Sequence, residues 1–94
     1  MTKEELKQHA KQQIDSLFAQ LDELEAKSDQ VKADMKQTYT TQLETLRTKK
    51  AELKQKYNEL EHSSEEKLEE VGQAFTESKG SFKESFSKLA SVFS

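Results

Sequence analysis

The sequence predicts an all-α protein with no β structure, and three observations carry that prediction. The 94 residues include no proline and only two glycines, the residues that turns usually recruit. Charged residues reach 35% and hydrophobic ones only 32%, in a composition rich in the strong helix formers Glu, Lys, Gln, Leu and Ala. The few apolar side chains recur at steps of three and four, which places them on one side of a helix. Two arrangements satisfy these observations. One is a long amphipathic helix paired in a coiled coil. The other is an α-helical hairpin made by a break near residues 38–41 or 62–64.

The first helix has a marked start. Thr2 and Glu5 fit the Ser/Thr-x-x-Glu capping box, in which each side chain satisfies an amide left free at the helix end. Glu4 and Glu5 also favour the positive end of the helix dipole. Ile14, Leu17, Leu21, Leu24, Ser28, Val31 and Met35 then alternate steps of three and four, a coiled-coil rhythm with charged and amide flanks. From Val31 through Met35, Tyr39 and Leu43 to Leu46 the steps lengthen to four, four, four and three, which locally unwinds a supercoil. Leu46, Lys50, Leu53, Tyr57 and Leu60 restore the alternation. Ser28 and Lys50 interrupt the stripe; polar residues in such positions set register, or simply weaken the seam. Thr38-Tyr39-Thr40-Thr41 is the poorest helix former of this half and is one expected place for a bend.

His62-Ser63-Ser64 is the other. Ser63 with Glu66 repeats the capping-box pattern ahead of acidic Glu65, Glu66, Glu69 and Glu70. No Gly or Pro ends the preceding helix, so continuity fits as well. The chain divides here into a charged, coiled-coil-like region, 1–62, and a Phe/Ser-rich amphipathic region, 63–94. In the second, Val71, Phe75, Phe82, Phe86, Leu89 and Phe93 fall within an arc of roughly 60° on a helix. Val71–Phe82, Phe75–Phe86 and Phe82–Phe93 are each 11 residues apart, a repeat that keeps a stripe straight along an α-helix. The remaining faces carry Gly72, Thr76, Gly80, Ser81, Ser85, Ser87, Ser91 and Ser94. Lys79 and Lys83 flank the stripe on one side and Lys88 on the other, placed to snorkel towards lipid headgroups.

Over residues 71–94 this pattern of bulky apolar residues against a Ser/Thr/Gly-rich face resembles the amphipathic lipid-packing sensors. Its period is similar to that of apolipoprotein-like and desiccation-type helical proteins. The resemblance implies a peripheral lipid or granule surface as a contact for the Phe stripe and its flanking lysines.

Catalysis needs polar groups held together in a pocket that excludes water, and a narrow helical stripe provides none. His9 and His62 stand 53 residues apart with no cysteine in the chain, so metal-ligand spacing is missing. Gly72 and Gly80 make no phosphate-binding loop. The expectation is a non-enzyme without metal, cofactor or small-molecule substrate. Net charge is −3, which offers no general attraction for nucleic-acid phosphates. Glu44 and Glu52 offset the basic cluster of Arg47, Lys49, Lys50 and Lys54, which has no aromatic stacking platform. The first 20 residues lack the apolar region of a secretory signal, and the longest purely apolar run is Leu17-Phe18-Ala19. A cytoplasmic location is therefore expected, peripheral to a membrane in the lipid-binding alternative.

A magnitude decides between states. A continuous helix of ~90 residues would be ~135 Å long, with side chains worth roughly 1.5–3 kcal/mol apiece on burial left in water. Surface pairs such as Glu23–Lys27, Glu52–Lys56 and Glu84–Lys88 add only about 0.2–0.5 kcal/mol each. The chain must self-associate, fold back on itself or dock on something apolar. The expected function is that of an interaction or scaffold protein, forming a homo-oligomer or binding a partner helix. The expected interface is Ile14, Leu17, Leu21, Leu24, Val31, Met35, Leu43, Leu46, Leu53, Tyr57 and Leu60.

Overall fold

The computed structural model describes residues 2–93. Met1 and Ser94, the latter counted above among the small residues of the tail, lie outside the described residues. Three helices, α1 (Lys3–Glu25), α2 (Lys36–Glu61) and α3 (Leu68–Ala90), are joined or ended by the single 3₁₀ turns Ser28–Gln30, Ala33–Met35 and Ser91–Phe93. Among the described residues there is no strand, as the sequence predicts.

Contacts between the helices fix their directions. Tyr57 meets Phe75 and Tyr39 meets Phe93, so α2 and α3 run antiparallel. Arg47 pairs with Glu25 while the Lys7 ammonium donates to the Glu61 carbonyl, so α1 and α2 are antiparallel too. Phe18 against Phe82 and Lys79 against Gln13 make α1 and α3 parallel. The result is an up-down-up rod of 50 × 17 × 16 Å.

The hairpin break near 62–64 is present: α2 ends at Glu61, and residues 62–67 turn the chain into α3. Its chemistry differs from the expectation. The Ser63 hydroxyl does not cap α3 but donates back to the Leu60 carbonyl at 2.8 Å, closing α2, and α3 begins at Leu68 without a side-chain cap. Lys7 supplies a cation to the same end of α2, where carbonyls lack partners. At the chain's start the Thr2 hydroxyl accepts from the Glu5 amide at 3.1 Å, half of the predicted capping box.

The break expected at 38–41 is not there. Residues 38–41 lie in the opening turns of α2, and the first reversal occupies 26–35. Val31 is extended at φ −72°, ψ 129°, yet it is buried. It plugs the end of the core as the chain turns. Tertiary burial of Tyr39 overrides the weak propensity of its threonine neighbours. Lys27 therefore falls outside α1, which removes the expected Glu23–Lys27 pairing. Lys49–Glu52 and Lys56–Glu59 form where Glu52–Lys56 was expected, and Glu84–Lys88 forms as expected at 3.8 Å.

The core runs the length of the rod. Leu21, Leu46, Leu53, Leu60, Phe82 and Leu89 are wholly enclosed within this one chain. α2 and α3 approach most closely, and α1 lies farther from both. Gly72 and Lys79 face α1. At about 100° per residue, Ala74, Ser78 and Ser85 sit on the opposite side of the Phe75–Phe82–Leu89 line, towards α2. Small side chains there shorten the interaxial distance.

Candidate functional site

Most residues expected to meet another helix do so inside the chain. Ile14, Leu17, Leu21, Val31, Leu43, Leu46, Leu53 and Leu60 are buried, while Leu24, Met35 and Tyr57 are half-buried around them. On α3, Phe75, Phe82 and Leu89 are buried, and Val71, Phe86 and Phe93 are half-buried. The two stripes, read separately in the sequence, thus cover one another. For α3 to lay its whole Phe stripe on a lipid surface, the bundle has to open.

The two polar interruptions have different fates. Ser28 is exposed in the turn after α1. Lys50 keeps its place along α2 and holds its ammonium 5.0 Å from the centroid of the Phe18 ring, an attraction between cation and ring face. Phe18 itself, outside the a/d series, packs against Phe82 at 5.7 Å.

What the folded bundle leaves outside is a groove between α1 and α3, with about 540 Å³ of open space. Leu17 and Phe86 supply its apolar surface. His9, Gln12, Gln13, Ser16 and Gln20 from α1 form one wall, and Lys79, Lys83 and Ser87 from α3 the other. The residues of α1 line up because positions 9, 13, 16 and 20 share a helical face. Lys79 and Lys83 do so on α3 for the same reason. Gln13 ties the walls together: its carbonyl oxygen accepts from Lys79 Nζ at 3.0 Å, and its amide nitrogen lies 3.0 Å from His9 Nε2.

The electrostatics of this groove set it apart from the rest of an acidic molecule. None of its lining residues is acidic. Burial, and then the neighbouring charge of Lys83, hold the Lys79 ammonium below the usual lysine range. Among the described residues neither Lys79 nor Lys83 makes an ion pair, whereas Lys88 on the same helix pairs with Glu84. The other displaced groups lie elsewhere. Burial, and then Glu25, push the Tyr39 hydroxyl up, while Arg47 and Ser28 pull it back. Burial, and then Glu61, raise Tyr57.

Among the described residues no three His, Asp or Glu side chains converge as a metal site would require, and no helix is long and apolar enough to cross a membrane. The groove escaped the sequence reading. Its α1 wall is made of glutamines, a serine and a histidine on a face that looks merely solvated until α3 lies beside it. Leu17, Lys79, Lys83 and Phe86 stood out beforehand as contact residues, and His9 and Ser87 were noted for other reasons; Gln12, Gln13, Ser16 and Gln20 were not noted at all. Comparison with protein-family models, with curated proteins and with solved structures finds no match for this chain.

Proposed function

We propose that this chain is a non-enzymatic helical interaction module that seats a partner helix in the groove between α1 and α3. The observation that carries this reading is the groove's composition: an apolar patch of Leu17 and Phe86 bordered by amide, hydroxyl and ammonium groups. A fourth helix laid there gains apolar burial and finds hydrogen-bond partners on both walls, the usual anatomy of helix-in-groove recognition. The displaced pKa values sit at three separate places along the rod rather than converging as acid and base partners do.

The reading is tested by titrating the full chain with a short helical peptide bearing a Leu seam and Gln flanks, followed by backbone NMR. Shifts are expected at Ser16, Gln20 and Ser87, with Thr45 and Thr48 on the outer face of α2 unmoved. Shifts confined to α2, or none at all, contradict it.

A second reading, contact with a lipid surface, draws on α3. This helix holds Gly72 and Gly80 in ordinary helical conformations that any residue could adopt, so its weak propensity is not imposed by the backbone. A helix of that kind suits formation against an apolar surface. Vesicles added to the full chain would then move the core signals of Phe75 and Phe82; an unperturbed core excludes this use.

A further inference from the structure

From the charge of the groove we infer the chemistry of its occupant: an acidic amphipathic helix of a partner protein, its apolar edge on Leu17 and Phe86 and its carboxylates on Lys79 and Lys83. The inference rests on the docking reading above and narrows it.

The argument is one of complementarity. The chain carries 18 acidic residues against 15 basic ones, yet none of the acids lines this groove. Two lysines one helical turn apart are left there without a carboxylate among the described residues, whereas Lys88 on the same helix pairs with Glu84. Lys79 settles for the neutral oxygen of Gln13 at 3.0 Å, and its charge is disfavoured first by burial and then by Lys83. A carboxylate brought between the two ammonium groups relieves that crowding and forms charge-assisted hydrogen bonds stronger than the one to Gln13. Gln12, and the spare donors and acceptors of Ser16 and Gln20, which bond each other at 3.3 Å, are left for further polar side chains of the guest. A basic helix meets like charge here, and that repulsion gives selectivity.

A helix fits the site better than an anionic membrane does. The site is a cleft along two parallel helices. Leu17, part of its apolar lining, is buried between them, within reach of a slender guest lying in the cleft and not of a flat surface resting across it.

Three peptides of identical Leu seam, with Glu, Gln or Lys flanks, are titrated into the full chain at low salt, with phosphatidylserine vesicles as a fourth arm. Backbone NMR reports where each binds and how tightly. The Glu peptide is expected to bind at least tenfold tighter than the Lys peptide, with Gln between them, moving Ser16, Gln20, Lys83 and Ser87. Lys83 is exposed and makes no ion pair among the described residues, so Lys83→Glu is expected to keep the fold and to invert the order; Lys83→Gln, a milder change, is expected to level it. Groove binding by all three peptides with equal affinity, or tightest by the Lys peptide, overturns the acidic partner but leaves the docking reading standing. Failure of every peptide to touch the groove removes both. Vesicles that move the groove signals while the Glu peptide does not would assign the surface to lipid and end the proposal.

Discussion

Lys50 stands at a position where the heptad rhythm calls for an apolar residue. Its stem lies along the seam between α1 and α2, and its ammonium, still partly in water, covers the face of Phe18. Tyr39 solves the opposite problem less completely. Its ring is buried edge-on to Phe93 at 5.8 Å, but its hydroxyl is enclosed without a well-formed hydrogen bond among the described residues. Both tyrosines are held above the ordinary value of 10.0, chiefly by burial. In the unfolded chain they release their protons near that value, so above it the folded state binds more protons and stability falls as pH rises. Lys79, held below 10.5 by burial and then by Lys83, acts in the other direction over the alkaline range. Comparison of wild type with the Tyr39→Phe/Tyr57→Phe variant isolates the tyrosines. The urea midpoint of the wild type is expected to fall relative to that of the variant above pH 10. Parallel curves for the two proteins would contradict this account.

At the scale of the elements, α3 is the telling case. Four serines, a threonine and two glycines make it a poor helix in isolation, while its Phe stripe makes it strongly amphipathic; packing, not propensity, holds it. A Cβ added at Gly80 would meet nothing within 4 Å. Gly80→Ala is therefore expected to raise stability by roughly 0.5–1 kcal/mol in chemical denaturation; a loss of stability would mean that the bundle uses that glycine for something the folded chain does not display. The same element was the most legible in the sequence, because its 11-residue series is long and its start follows a plausible break at 62–64. The reversal at 26–35 was not legible. It contains neither Gly nor Pro, and Val31, Met35 and Tyr39, four residues apart, continue the stripe across the gap as though helix persisted. Val31 keeps its place in the core through extended backbone rather than helix, and periodicity cannot tell those two apart. The threonines at 38–41 drew attention instead, and their local preference lost to the burial of Tyr39 and Leu43.

For the whole molecule, the composition correctly implied that the seam must be covered, and the fold supplies the cover from within. Six large side chains from three helices, from Leu21 to Leu89, are enclosed within the one chain. What remained hidden was the groove, because it is a property of two helices placed side by side rather than of either one. Its four glutamine and serine side chains become a wall only when Lys79 and Lys83 face them. The proposed docking function accordingly rests on polar residues that a helical wheel of α1 assigns to solvent.

The claim beneath all of this is that one chain buries its own seam by reversing twice. Small-angle X-ray scattering with a simultaneous light-scattering mass tests it most directly. A particle of 10.8 kDa is expected, with a radius of gyration close to 15.2 Å and a longest dimension near 50 Å once the hydration layer is allowed for. A continuous rod of ~135 Å would instead give a radius of gyration of about 40 Å, and that result, or a mass of two or more chains, would contradict the account.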